Sequence, residues 1–289
     1  MKQKSTAVAL SIVIPAKNEA EAIGDVVAIA KSTYPDAEII VVDDGSSDST
    51  AEIAEQAGAS VVRHPESLGN GAAVKSGARA AQGEILALMD GDGQHDANEF
   101  GELLDKLEQG YDMAIGARDS KSHASVGRLF ANGFYNKLAS LISGRQIIDL
   151  TSGFRVVRAS LFKRFLYLLP NGFSYPTTIT MAFLRSGFPV CFEPISATER
   201  KGVSHIRPVR DGIRFLIIIF KVATLYAPLK VFLPISGLFF ATGLAHYLYT
   251  YVTAGRFTNM SLLVFSASVI IFLIGLISEQ ITALTYSKS

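Results

Sequence analysis

Two stretches near the C-terminal end most constrain what this chain can become. Residues 231–252, VFLPISGLFFATGLAHYLYTYV, and 260–278, MSLLVFSASVIIFLIGLIS, contain no Asp, Glu, Lys or Arg. Each is close to the ~20 residues that an α-helix needs to cross a bilayer. Two adjacent uncharged runs of this length suit a membrane better than a soluble core, so they are read as transmembrane helices at 231–252 and 260–280. Arg207, Arg210, Arg214, Lys221 and Lys230 precede the first run, Lys288 follows the second, and only Arg256 lies between them. Basic residues concentrate on the cytoplasmic side, which places both termini and the bulk of the chain there, at the cell membrane. On a helical wheel Arg207, Arg210, Arg214 and Lys221 fall within about 60° of one another, amid apolar residues such as Ile213, Phe215 and Phe220. That pattern predicts an interfacial amphipathic segment over 207–229. It divides the chain into a cytoplasmic domain, 1–206, this segment, and a membrane domain, 230–289. Gly237, Ala241 and Gly243 provide for close helix packing, within one chain or in a homo-oligomer. His246 inside the first run reads as a polar residue with a partner rather than a relay.

The chain as a whole, 289 residues, 49% hydrophobic and with a formal net charge of +1, supports a sizeable core. Near-neutral charge gives no case for nucleic-acid binding, which needs a basic surplus against phosphate. The single cysteine, Cys191, cannot pair within the chain, and no Cys/His cluster has zinc spacing, so a reducing compartment and a small buried side chain are expected. The apolar run before IPAKNE is too short for a signal peptide and reads as a first strand.

From residue 7 to about 117, β-rich runs alternate with helical stretches: AVALSIVIPA, EIIVVDD, SVVRH, EILALMD and YDMAIGAR, separated by helices at 19–33, 48–57, 70–81 and 97–109. This order predicts an α/β fold with a mostly parallel, Rossmann-like sheet covered on both faces. Such sheets bind ligands at the carboxyl ends of their strands, where Pro15 to Glu19, Asp43 to Ser47, Asp90 to Gln94 and Arg118 all fall. GNGAAVKSG, residues 69–77, lacks the glycine that must precede the lysine of a P-loop. It reads as small-residue packing, with Lys75 a candidate phosphate contact. DGDGQHDAN, residues 90–98, has His95 and Gly101 where a calcium loop counted from Asp90 needs Gly and Glu. If the segment is extended, Asp90, Asp92 and Gln94 point the same way and could share one hard divalent ion, Mg²⁺ or Mn²⁺. Asp96 and Asn98 then start the next helix.

SIVIPAKNEAEAI, IIVVDDGSSDST and LALMDGDGQHD, in this order, resemble the family 2 glycosyltransferases of GT-A fold. DLTSGFR at 149–155, ERKGVSHI at 199–206 and the apolar tail narrow the resemblance to the dolichyl/polyprenyl-phosphate sugar transferases. It implies an inverting, metal-dependent transfer of a sugar from a nucleotide-sugar, GDP-mannose or a UDP-hexose, to a polyprenyl phosphate. Pro15, Asn18, Glu19, Asp43 and Asp44 would hold base and ribose, Asp90 would touch ribose or sugar, and Asp92 and Gln94 would hold the metal at the diphosphate. Arg118, Arg128, Arg200 and Ser204 would grip phosphates of donor and lipid. Asp149 would be the candidate catalytic base, beside Asp92 and Arg118. Lys17 stands where many relatives have an aromatic residue. Processive polysaccharide synthases carry a Q-x-x-R-W motif, and this chain has no tryptophan. A membrane-anchored transferase with a protein or soluble sugar acceptor, and a non-catalytic nucleotide-sugar-binding membrane protein, remain as alternatives.

Overall fold

The structure is a computed structural model that describes residues 10–118, 143–172, 174–195 and 223–287, apart from the side chain of 287, with isolated residues at 133–141 and 220–221. The chain divides into two compact units, residues 1–206 and 207–289.

The first unit is built on a seven-stranded sheet ordered β3-β2-β1-β4-β6-β5-β7. Its strands are β1 (Leu10–Ala16), β2 (Glu38–Asp43), β3 (Ser60–Arg63), β4 (Ile85–Leu88), β5 (Met113–Arg118), β6 (Arg155–Arg158) and β7 (Val190–Ile195). β1 is buried along its whole length and is flanked by β2 and β4 in parallel register. A strand covered on both faces needs no polar alternation, which is why LSIVIPA reads as a continuous apolar run. Among the described residues the sheet is accompanied by helices α1 (Ile23–Thr33), α2 (Thr50–Gln56), α3 (Asn70–Ala80), α4 (Phe100–Glu108), α5 (Ala159–Arg164) and α6 (Tyr175–Arg185). α1 buries Ile23, Val26, Val27 and Ala30, and α4 buries Phe100, Leu103 and Leu107, each a single helical face. α3 instead turns small residues to the sheet: a Cβ added at Gly77 would lie 2.3 Å from Val13 Cγ1 and 3.1 Å from Val42 Cγ2. The small-residue reading of GNGAAVKSG therefore holds.

The first five strands fall where the sequence places them, and all but one strand run parallel. The exception, β6, inserts antiparallel between β4 and β5, with Leu88 opposite Arg155 and Ile85 opposite Arg158. This strand has a positional consequence. Running opposite to its neighbours, β6 begins at the carboxyl edge of the sheet, so the residues just before it, Asp149 to Phe154, are delivered to the edge where ligands bind in such folds. Cys191, on β7, is half-buried rather than buried, and its thiol is pushed up to about 11, first by burial and then by the Glu193 charge.

The second unit contains two helices, α7 (Pro228–Ala254) and α8 (Asn259–Ser287), long and apolar enough to cross a membrane. Pro228 occupies the first turn, where its missing N–H costs nothing. The pair is joined by polar contacts suited to a medium without water. Ser236 and Ser268 each donate to the other's carbonyl oxygen, at 2.9 and 3.0 Å, and His246 Nδ1 lies 2.9 Å from Ser261 Oγ. Glu279 accepts the Leu229 N–H at 3.3 Å. Gly243 packs against Val264 and Phe265, whereas Gly237 has open space around it. Lys221 and Phe220 belong to the expected amphipathic segment, but its arginines 207, 210 and 214 lie outside the described residues.

The tight seating of α3 yields a test of the fold. Gly77→Ala is expected to lower stability by about 1–3 kcal/mol through overpacking against Val13, read as a lower thermal unfolding midpoint of the full chain in detergent.

Candidate functional site

The carboxyl edge of β1, β2 and β4 is stitched by backbone and side-chain hydrogen bonds. Asp44 N–H donates to Ala16 O at 2.9 Å, and Gly91 N–H donates to Pro15 O at 3.3 Å, so Pro15 links the first strand to the acidic turn. Asn18 holds φ at 55°, a left-handed conformation unusual for a residue with a side chain. It is kept there by Ser47, whose N–H donates to Asn18 Oδ1 at 2.8 Å, and by Ser46 Oγ, which accepts the Asn18 N–H at 2.9 Å. Glu19 N–H donates to Thr50 Oγ1, and Glu19 O accepts from Ala22 and Ile23 at the start of α1. Asp43 accepts the Ser46 N–H at 3.0 Å.

Asp44 is almost fully buried, and its oxygens are committed internally. Oδ1 lies 2.8 Å from His64 Nδ1 and accepts the Leu68 N–H, while Oδ2 accepts Ser67 Oγ–H and the Gly69 N–H. Burial alone would raise its pKa, but His64, Leu68, Ser67 and Gly69 outweigh it and hold the carboxyl below the usual range. His64 Nε2 continues the chain to Ser76 Oγ at 2.9 Å. Asp44 therefore shapes the loop that leads into α3. Lys75, on that helix, donates to Leu169 O at 3.0 Å and Asn171 Oδ1 at 2.6 Å, and burial together with Arg79 lowers its pKa.

The acidic stretch after β4 is a turn and not an extended segment, which corrects the expectation that alternate side chains point the same way. Gly91 and Asp92 form the turn, Gly93 takes φ of 71°, and the Gln94 N–H donates back to Asp92 Oδ1 at 3.1 Å. Asp90, Asp92 and Gln94 are half-buried. Asp96 then caps the next helical turn by accepting the Asn98 N–H at 2.9 Å, as its residue type suggests. Two carboxylates and an amide form an all-oxygen donor set suited to a hard ion such as Mg²⁺ or Mn²⁺. Among the described residues no three His, Cys, Asp or Glu side chains come together as a metal site. His95 is buried, stacks on Phe154 at 4.9 Å, and its Nδ1 has no hydrogen-bond partner. Burial lowers its pKa against the opposing pull of Asp92.

Across the edge, Arg118 at the end of β5 grips Asp149 through two nitrogens, Nε to Oδ2 at 2.9 Å and Nη2 to Oδ1 at 3.2 Å. Arg118 Nη2 also donates to Thr151 Oγ1 at 2.8 Å, and Thr151 N–H donates to Asp149 Oδ1 at 3.0 Å. Burial would raise the Asp149 pKa, but the Arg118 hydrogen bonds and charge, with Thr151, bring it below the ordinary carboxylate range. Arg128, Arg200 and Ser204 lie outside the described residues. Reading by motif missed His64 and Ser76, whose partnership with Asp44 joins positions far apart in the chain.

A Rossmann-like sheet with an acidic turn after β4 and an arginine–carboxylate pair facing the same edge is a glycosyltransferase of the GT-A type. The chain belongs to glycosyl transferase family 2, whose model matches residues 11–166, and residues 227–284 match the GtrB C-terminal hairpin. It is 32% identical over 206 residues to a dolichyl-phosphate hexose transferase of Haloferax volcanii, covering 70% of this chain and 89% of that protein. A polyprenol monophosphomannose synthase of Mycolicibacterium smegmatis is 30% identical over 209 residues, 67% of this chain and 79% of the relative. Among solved structures, glucosyl-3-phosphoglycerate synthase from Mycobacterium tuberculosis with Mn²⁺, uridine-diphosphate and phosphoglyceric acid shares the fold. Its TM-score is 0.59 at 21% identity, covering 74% of this chain and 78% of that one.

The arginine–carboxylate pair predicts an acid-sensitive stability term. Because the Asp149 pKa is lower folded than unfolded, its contribution is present above the ordinary carboxylate pKa and lost as pH falls through the depressed value. Asp149→Asn is expected to cost about 2 kcal/mol at neutral pH, below the loss for a fully buried pair because Arg118 is partly exposed. Thermal midpoints of the two proteins should converge as pH is lowered.

Proposed function

We propose that the protein transfers a hexose from a nucleotide-sugar to a polyprenyl phosphate, with inversion at the anomeric carbon, giving a polyprenyl-phosphate sugar and a nucleoside diphosphate. The observation that carries this reading is the pairing of an acidic turn with the Arg118–Asp149 pair on one sheet edge, in a chain similar to enzymes named for transfer to dolichyl and polyprenyl phosphates. GDP-mannose and UDP-hexoses are the donors to test. The catalytic unit and both termini are assigned to the cytoplasmic side of the cell membrane, from the basic residues flanking α7 and α8.

In the reaction an oxygen of the lipid phosphate forms a bond to the anomeric carbon as the bond from that carbon to the donor diphosphate breaks. Asp90, Asp92 and Gln94 would hold Mg²⁺ or Mn²⁺, and the bound ion would neutralise charge on the departing diphosphate. Pro15, Asn18, Glu19 and Asp43 line the edge where base and ribose would lie. Asp44 and Lys75 contribute by fixing the loop at 64–69 and the one at 169–171. Arg118 presents a cation to phosphate in an orientation set by Asp149. Asp149 is poorly suited to remove a proton, since its carboxylate is held ionised. No base is required, because a phosphate monoester with a second pKa near about 6 is already largely deprotonated at neutral pH. Positioning and electrostatics then carry the rate.

Purified protein in detergent, given undecaprenyl or dolichyl phosphate, a panel of GDP- and UDP-sugars and Mg²⁺ or Mn²⁺, is expected to form a lipid-linked sugar. No product with any donor overturns the reading, and full turnover in chelator overturns the metal assignment. Asp92→Asn is expected to reduce transfer about a hundredfold or more with the unfolding midpoint retained.

A further inference from the structure

Behind the loop that carries Asp149 lies a buried cluster with no part in the transfer step itself. Arg155 is the largest fully buried side chain, at 0% exposure, and makes no ion pair among the described residues. Its Nη1 donates to Pro176 O at 3.3 Å and Thr180 Oγ1 at 3.1 Å and lies 3.8 Å from Met113 Sδ, its Nη2 donates to Ser152 O, and Nε has no acceptor. Its hydrogen-bond acceptors are neutral, and the nearby Asp149 and Asp90 charges only partly offset the burial of a cation. What this one accomplishes is mechanical: it ties β5, the 149–153 loop and the first turn of α6 to one another.

Gly153 and Tyr175, each adjacent in the chain to one of those acceptors, lie near Asp90. A Cβ added at Gly153 would lie 3.3 Å from Asp90 Oδ2, 3.6 Å from Oδ1 and 3.4 Å from the Tyr175 hydroxyl oxygen. Bare backbone at 153 thus fills the space beside the carboxylate, and a methyl group would press on the carboxylate and the hydroxyl together. Tyr175, at 2% exposure, opens α6.

We propose that Gly153, Arg155 and Tyr175 are positioning residues for Asp90, holding its carboxylate in the orientation that binds a divalent ion together with a nucleoside diphosphate. This role presupposes that the acidic turn is a metal site. None of the three touches substrate. Gly153 backs the carboxylate, Tyr175 flanks it, and Arg155 fixes the loop bearing the one to the helix bearing the other.

Mn²⁺ binding, followed by electron paramagnetic resonance on the full chain in detergent with UDP or GDP present, tests this without any transfer reaction. Gly153→Ala and Tyr175→Phe are each expected to weaken Mn²⁺ binding about tenfold, as loss of a residue supporting a ligand typically does. Both should change the spectrum of the bound ion while the unfolding midpoint and nucleotide binding in chelator stay near those of the unaltered chain. Arg155→Lys should have the same effect, and the other two variants decide the matter if it does not fold. Unchanged Mn²⁺ affinity and spectrum in Gly153→Ala and Tyr175→Phe overturn the positioning role but leave the metal site standing. An equal loss of nucleotide binding in chelator marks general damage and overturns it as well. Absence of Mn²⁺ binding by the unaltered chain overturns both the role and the metal assignment.

Discussion

The loops at the carboxyl edge of a parallel sheet leave backbone N–H groups that no further strand accepts from, and here side-chain carboxylates accept from several of them. Asp44 takes hydrogen bonds from Ser67, Leu68 and Gly69 while facing His64. Asp149 does the equivalent with Arg118 and Thr151. Unpaired buried polar groups cost more than made hydrogen bonds return, so these two carboxylates decide which loop conformations exist. The positive φ of Asn18, tolerated because Ser46 and Ser47 close around it, belongs to the same network. A ligand arriving at this edge meets loops already ordered, which lowers the entropy that binding must overcome.

Much of this was legible in the chain. Strands β1, β2, β4 and β5 follow from apolar runs because a segment buried on both faces has no use for polar alternation, and α7 and α8 follow from runs long and apolar enough to cross a membrane. β6 was not legible: RVVR is four residues long, begins with an arginine that turns out to be fully buried, and pairs antiparallel within an otherwise parallel sheet. Its existence depends on partners far away in sequence, which periodicity cannot register. The edge residues show the same limit. Residue type put Asp43, Asp44, Asp90 and Asp92 at strand ends, but not which oxygens are spent internally. The expectation of an extended DGDGQ failed because Gly91 and Gly93 permit a turn, where the alternation of side chains no longer applies.

That difference between a carboxylate's presence and its availability bears on how the proposed transfer would achieve its rate. A general base must be able to hold a proton near neutral pH, and Asp149 is tied to a guanidinium that favours its ionised form. The same contact acts on Arg118, whose long side chain is locked by Asp149 and Thr151 instead of sampling solvent. An arginine ordered in advance forfeits less entropy when it meets phosphate, and its planar fork keeps donors available to a further anion. A phosphate nucleophile gains little from proton removal and much from being brought close to an electrophilic carbon against charge repulsion between two phosphorylated substrates. The pair is therefore better matched to assembling anions than to moving protons.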